Sequence, residues 1–391
     1  MKLIIRLLAA IIIGITVGSL YYAVGGAFFE VLVRLFITLE MILGSLIFFT
    51  IPFIILFFIA SGISRITGGS GKVVGATVGV AYISTLGAGL LAYFVAILIM
   101  PLVTDGGAVP EEGEGLSPFF EFEIPPVLDI LSALVLAFAL GIVITVTKTD
   151  TMRKWVDEGK VITEYIIEKV IINILPFYIA GVFAGMAATG TVFDTLAVFG
   201  VVLLVAIFLH WVWITIQYTI AGALLGKNPF AMIKTMLPAY LTALGTMSSA
   251  ATIPVTLKQV KANGIRNRIA DFVVPLCANI HLAGSTITII SCTIAVMTVL
   301  PDYSMPGFFE ILGTIMLLGV VMIAAPGVPG GAIMAASGVL MVNLGFNEAA
   351  VAFMIALYMA QDSFGTAANI TGDGAVSGII DAYEQKLHKK A

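Results

Sequence analysis

Apolar residues fill runs at 3–24, 27–64, 73–103, 127–147, 161–190 and 195–226. Three longer regions, 229–300, 305–345 and 347–385, are apolar but interrupted. Runs of about 20 apolar residues cross a bilayer as helices, so the pattern predicts an all-α polytopic membrane protein. The interruptions are specific. Residues 230–262 read as helix, a small polar break at Thr246-Met247-Ser248-Ser249-Ala250-Ala251, and helix again after Pro254. Residues 305–345 repeat that design around the break from Ala324 to Gly331.

Composition agrees with the pattern. The 391 residues are 60% hydrophobic and 11% charged, with a mean hydropathy of +1.11, against about 25% charged in soluble domains. A net charge of −4 gives no reason to expect a nucleic-acid partner. Cys277 and Cys292 lie in apolar surroundings and read as free packing thiols. The N-terminal run, opened by Lys2 and Arg6, lacks a small-residue cleavage pattern and reads as the first span.

Positive charges set the expected topology. Lys2, Arg6, Arg65, Lys72, Lys148, Arg153, Lys154 and Lys160 fall at alternate run ends, whereas residues 104–126 hold six acids and no Lys or Arg. The positive-inside rule then puts both termini in the cytoplasm and the acidic segment outside, as a solvated loop. Lys227, Lys258, Lys261, Arg266, Arg268 and the last lysines also fall inside, provided the two interrupted regions are hairpins that enter and leave on one side. Arg34 is expected to snorkel or to pair with Glu30.

Each hairpin precedes a segment with polar groups at mid-depth, Asn279 to Thr286 after the first and Asp362 to Asp373 after the second. A hairpin plus an interrupted helix, present twice and inserted from opposite sides, is the inverted-repeat signature of a secondary transporter. Asp362, Thr366, Asn369 and Asp373 stand four, three and four apart, on one stripe of a helix. A carboxylate at a helix centre costs about 2.5–3.5 kcal/mol on insertion scales, so the stripe should face a wet binding cavity. A channel would spread polarity along whole helices, and an embedded enzyme would need a nucleophile or metal cluster, which three histidines without an HExxH or GxSxG-like motif do not supply. His210, beside Trp211 and Trp213, reads as interfacial. Tyr82, Ser84 and Thr85 are candidates to support a cation site.

The stretches SSAATIPVT (Ser248–Thr256), LCANIHLAGS (Leu276–Ser285), GVPGGAIM (Gly327–Met334) and QDSFGTAANITGD (Gln361–Asp373) resemble the dicarboxylate/amino acid:cation symporter family, which includes the glutamate transporters. AGSTITI (Ala283–Ile289) and QDS (Gln361–Ser363) are similar to its serine/threonine branch. The resemblance implies eight transmembrane helices plus two re-entrant hairpins, a homotrimer in the cytoplasmic membrane, and elevator motion of a transport domain against a scaffold. It assigns 1–68 and 127–191 to the scaffold, 69–103 and 192–391 to the transport domain, and 104–126 to the external loop. It further implies that Asp362 holds the substrate ammonium and that Asn369, with Ser248 and Ser249 at the first hairpin tip, binds the α-carboxylate. Gly327, Val328 and Gly330 belong to the second tip as a gate, Gly365 and Thr366 to the pocket, and Asn369 and Asp373 to a sodium site. No organic cofactor is implied, only Na+ or H+ as coupling ion.

The departures from the family carry the specificity. Gly365 stands where members that carry glutamate have an arginine for the distal carboxylate, and Met247 supplies no charge either. An unpaired second carboxylate in a desolvated pocket costs several kcal/mol. The expected substrate is therefore a small neutral amino acid such as serine, threonine or alanine, with Phe364 bounding the pocket. The alternative is another zwitterion such as cystine, carried by proton coupling or exchange. His281 replaces the family's asparagine, Ala283 an aspartate and Tyr358 a further acid of some members. One sodium site is thereby dismantled, and an imidazolium at His281 beside Asp373 would stand in for the lost cation. Asn279, His281, Asn369 and Asp373 are the candidate coupling residues, for sodium or for a proton.

Overall fold

Leu, Ile, Val, Phe and Ala dominate three long opening helices, α1 (Lys2–Val24), α2 (Ala27–Ile66) and α3 (Lys72–Thr104). The computed structural model describes residues 2–66, 72–104, 115–300, 302–323, 325 and 327–388, and among these there is no strand. Helix α4 (Ile130–Thr147) starts at Asp129, whose carboxylate accepts the Ser132 N–H at 3.0 Å, and stops at Lys148 in the left-handed conformation. Helix α5 (Asp150–Ile166) then continues through a π-helical turn, Ile167–Ile171, into α6 (Ile172–Ala188). Hydropathy places the start of this element at 161, too late, because its first turns are amphipathic rather than apolar. Trp155 there packs on Phe57 of α2 at 5.2 Å between ring centres. Arg153, Lys154 and Lys160 thus lie on a helix rather than in a loop. Seven of the described helical segments are long and apolar enough to cross a membrane.

The second half comprises α7 (Val192–Leu225), α8 (Pro229–Thr246), α9 (Ser249–Ala262), α10 (Asn267–Ile280), α11 (Ala283–Val299), α12 (Phe308–Met322), α13 (Gly331–Leu344) and α14 (Glu348–His388). Helices α8 and α9 pack together as one hairpin and α12 and α13 as another. The hairpin tips meet, with the Ser248 hydroxyl donating to Gly327 O at 3.0 Å. Ala324 and Pro326, expected in the second tip, lie outside the described residues. The segment after the first hairpin breaks at His281–Leu282. The one after the second does not: α14 is a single continuous helix, so only one of the two expected interrupted helices is interrupted. Its polar stripe faces neighbouring helices, which supply partners for Asp362, Asn369 and Asp373 Oδ1.

Helices α1, α2, α4, α5 and α6 pack chiefly on one another, and α3, α7, α8, α9, α10, α11 and α14 form a second group around α14. Helix α13 bridges them by lying on α2. At the far end of α14, Arg266 at the start of α10 pairs with Asp381 (2.6 Å) and Glu384 (2.9 Å), both carboxylates buried.

The described part of the acidic segment is not a free loop. Arg34 Nε donates to Ser117 O at 3.0 Å, and Thr38 Oγ1 accepts the Phe119 N–H at 2.9 Å. Ser45 Oγ accepts the Ile124 N–H and donates to Phe122 O, both at 3.3 Å. These three positions run along α2, so the segment straps that helix. Arg34 does pair with Glu30, at 3.8 Å, but also stands 4.5 Å over the Phe119 ring.

Candidate functional site

The first four N–H groups of any helix lack an intrahelical acceptor and carry partial positive charge. Three such ends, those of α9, α11 and α13, converge on α14. Ser248 caps α9, its Oγ accepting from Ala251 N at 3.3 Å. Leu282 cannot cap α11, and the acceptor comes instead from α14: Asn369 Oδ1 takes Gly284 N at 2.7 Å and Ser285 N at 3.2 Å. Asp362 Oδ2 accepts from Gly330 N at 2.8 Å, at the start of α13. Gly330 holds the left-handed conformation that this turn requires (φ 74°).

Between these ends lies a cavity with about 250 Å³ of empty volume. Ser249, Gly327, Val328, Asp362, Thr366 and Asn369, all expected there, line it together with Met247, Leu282, Ser285, Ala332 and Tyr358. Among the described residues its only charged lining residue is Asp362, with no Lys, Arg or His. Ser285 Oγ accepts from Tyr358 OH at 3.0 Å and from Asn369 Nδ2 at 2.9 Å, so Tyr358 and Ser285 belong to the site, although the motifs single out neither as a ligand. Thr366 Oγ1 lies 3.4 Å from Asp362 Oδ1. Phe364, expected to bound the pocket, is not among the lining residues, nor are Ser248, Gly330 and Gly365. A Cβ on Gly365 would meet Thr288 Oγ1 at 3.3 Å and Ser285 N at 3.4 Å. This glycine therefore serves the close approach of α14 to α11.

The candidate coupling residues do not all meet. His281 and Asp373 do: Nδ1 stands 2.9 Å from Oδ1, both side chains 0% exposed. Asn369 is committed to α11, and Asn279 is exposed, its amide bonded to Pro275 O at 2.9 Å. Asn279 is thus the one member of the set that the fold turns away. On the other edge of the ring, His281 Nε2 lies 2.9 Å from Ser84 Oγ and 3.1 Å from Gln217 Nε2. Ser84 Oγ accepts from Trp213 Nε1 (3.2 Å) and Gln217 Nε2 (2.8 Å). Both its lone pairs are then used, leaving its O–H to donate to His281 Nε2. That count fits a neutral imidazole with its proton on Nδ1, facing Asp373. Of the three polar residues proposed in the third span, Ser84 reaches the site, whereas Tyr82 donates to Met316 O and Thr85 to Ala81 O. Gln217 was missed because one amide in the run 195–226 gives no local signal.

His210 is not interfacial. It is buried, with Nε2 at 3.0 Å from Gly284 O and 3.1 Å from Thr288 Oγ1. Its aromatic neighbours in sequence suggested a wet flank, but its partners lie more than 70 residues away.

Excitatory amino acid transporter 1 of Ambystoma tigrinum is 29% identical over 206 residues, 52% of this chain and 37% of that protein. The human protein of the same name is 28% identical over 207 residues. The serine/threonine transporter SstT of Streptococcus thermophilus is 33% identical over 170 residues, 42% of this chain and 40% of that protein. The matched stretch is thus well under two thirds of each relative. The profile of the sodium:dicarboxylate symporter family, by contrast, matches residues 3–383. With that match and the helices long and apolar enough to span a membrane repeatedly, the chain belongs to the sodium:dicarboxylate symporter family.

Proposed function

We propose that the protein is a secondary active transporter that imports a small neutral amino acid, of the serine, threonine or alanine type, with a cation. The observation that carries this reading is the charge inventory of the cavity, one carboxylate and three helix N-termini with no basic side chain. A zwitterion complements it. Its ammonium pairs with Asp362, and its carboxylate meets the free N–H groups at the start of α9 and the remaining N–H of Asn369. A second carboxylate would find no counter-charge. The SstT likeness points the same way.

The family description names sodium as the coupling ion, and Asp373 Oδ2, without a hydrogen-bond partner among the described residues, is an oxygen a cation could use. One observation favours the proton instead. His281 already occupies Asp373 Oδ1, and Asn369 Oδ1 already receives two amides. The pair expected to bind sodium is therefore largely spent within the protein. A proton arriving at His281 Nε2 needs an acceptor there, and a half-turn of the Gln217 carboxamide would present Oε1. Family membership further supports a homotrimer and elevator motion. In that reading the group of α1, α2, α4, α5 and α6 is the scaffold, the group around α14 is the moving part, and both termini are cytoplasmic.

The test is uptake into proteoliposomes under sodium and proton gradients imposed separately. With proton coupling, wild-type uptake follows the proton gradient and His281→Asn loses that dependence. A His281→Asn variant with its full pH dependence of uptake removes the proton reading and leaves sodium.

A further inference from the structure

Two glycines let α11 and α14 cross beside the pocket. A Cβ on Gly284 would fall 2.5 Å from Gly365 O and 2.6 Å from Ala368 Cβ, and one on Gly365 would fall 3.4 Å from Ser285 N. The crossing holds both sides of the pocket wall. Gly284 N and Ser285 N bind Asn369, and Ser285 Oγ gathers Asn369 and Tyr358. On the opposite side of Gly284 its carbonyl accepts from His210 Nε2 at 3.0 Å and from Thr288 Oγ1 of its own helix at 3.3 Å, and Nε2 also lies 3.1 Å from Thr288 Oγ1. Since a carbonyl only accepts, Nε2 carries the proton. His210 sits in α7, a helix that contributes no residue to the cavity lining. A fully buried histidine at membrane depth is costly and calls for a role.

We propose that His210 is a positioning residue for the pocket: by holding Gly284 O from α7 it fixes the first turn of α11, and through it Ser285 and Asn369, in the geometry that receives substrate. The proposal rests on the cavity being the substrate site. It assigns the role to one nitrogen. Glutamine places an amide N–H near the position of Nε2, whereas asparagine places one near Nδ1. His210→Gln should keep the Gly284 carbonyl held from α7, and His210→Asn should leave it only the bond from Thr288 of its own helix.

The experiment measures KM and maximal rate of uptake in proteoliposomes for whichever of labelled serine, threonine, alanine and aspartate the wild-type protein carries fastest. Asp362→Asn is run alongside. Loss of the α7 donor to this buried carbonyl predicts that His210→Asn raises KM about tenfold, with the maximal rate within about twofold, while His210→Gln stays near wild type. Equal KM values for the two variants overturn the proposal, as does a defect confined to the maximal rate. Wild-type uptake by Asp362→Asn would instead overturn the assignment of the cavity, and the two failures are thereby told apart.

Discussion

At the residue scale the account depends on close approach rather than on side-chain bulk. Gly284 has no room for a methyl group, because backbone of α14 occupies the space. Gly284→Ala should destabilise the protein by about 1–3 kcal/mol, the usual cost of overpacking. It should also raise the substrate KM, since the bond to Asn369 is displaced. Gly313→Ala on α12, where a Cβ meets nothing within 4 Å, is the control and should leave thermal unfolding in detergent unchanged or slightly raised. Equal effects of the two would mean that the crossing is not tightly packed. The two histidines of the site illustrate what sequence discloses at this scale. His281 stands in a polar motif, and its pairing with Asp373 follows from motif and stripe together. His210 stands among apolar and aromatic residues and is explained only by a carbonyl on another helix. A backbone acceptor leaves no trace in residue identity.

At the element scale, the hairpin tips and the break at His281–Leu282 were legible, whereas the continuity of α14 and the capping between elements were not. Small polar or Gly/Pro clusters at 246–251 and 324–331 mark the hairpin tips, because backbone that leaves a helix at membrane depth needs partners that lipid lacks. Helix α5 was misplaced since its charged first turns hide it from hydropathy. The family resemblance implies a ligand role for Asn369. This residue also acts as an N-cap for α11, in trans, which depends on how two helices meet. Ends of elements also carry stability. Arg266 locks α10 to α14 through the buried Asp381 and Glu384, whereas Arg268, 77% exposed, only adds a second contact to Glu384. Removing one partner of a buried pair costs about 3–5 kcal/mol, and Arg266 is itself half-exposed, so Arg266→Ala should cost about 2–3 kcal/mol. Arg268→Ala should cost less than about 1 kcal/mol. Denaturation midpoints of the two variants check the ranking, and the reverse order would contradict it.

At the scale of the whole molecule, orientation follows from charge and function from the pocket. Cys277 and Cys292 are both buried, so introduced thiols can be read against a low background. Ser117→Cys, exposed on the strap along α2, should react with an impermeant maleimide from outside the cell. Ala262→Cys, exposed at the end of α9, should react only after the membrane is opened. Labelling of the opposite pattern would invert the topology. The central claim, that a cavity with a single carboxylate and no basic side chain takes a neutral zwitterion, is tested most directly by uptake of labelled serine and labelled aspartate into the same proteoliposomes. The account predicts saturable serine uptake that unlabelled threonine and alanine compete for, with aspartate neither carried nor competing. Concentrative aspartate uptake would contradict it, because it would require a counter-charge for the second carboxylate that the cavity does not hold.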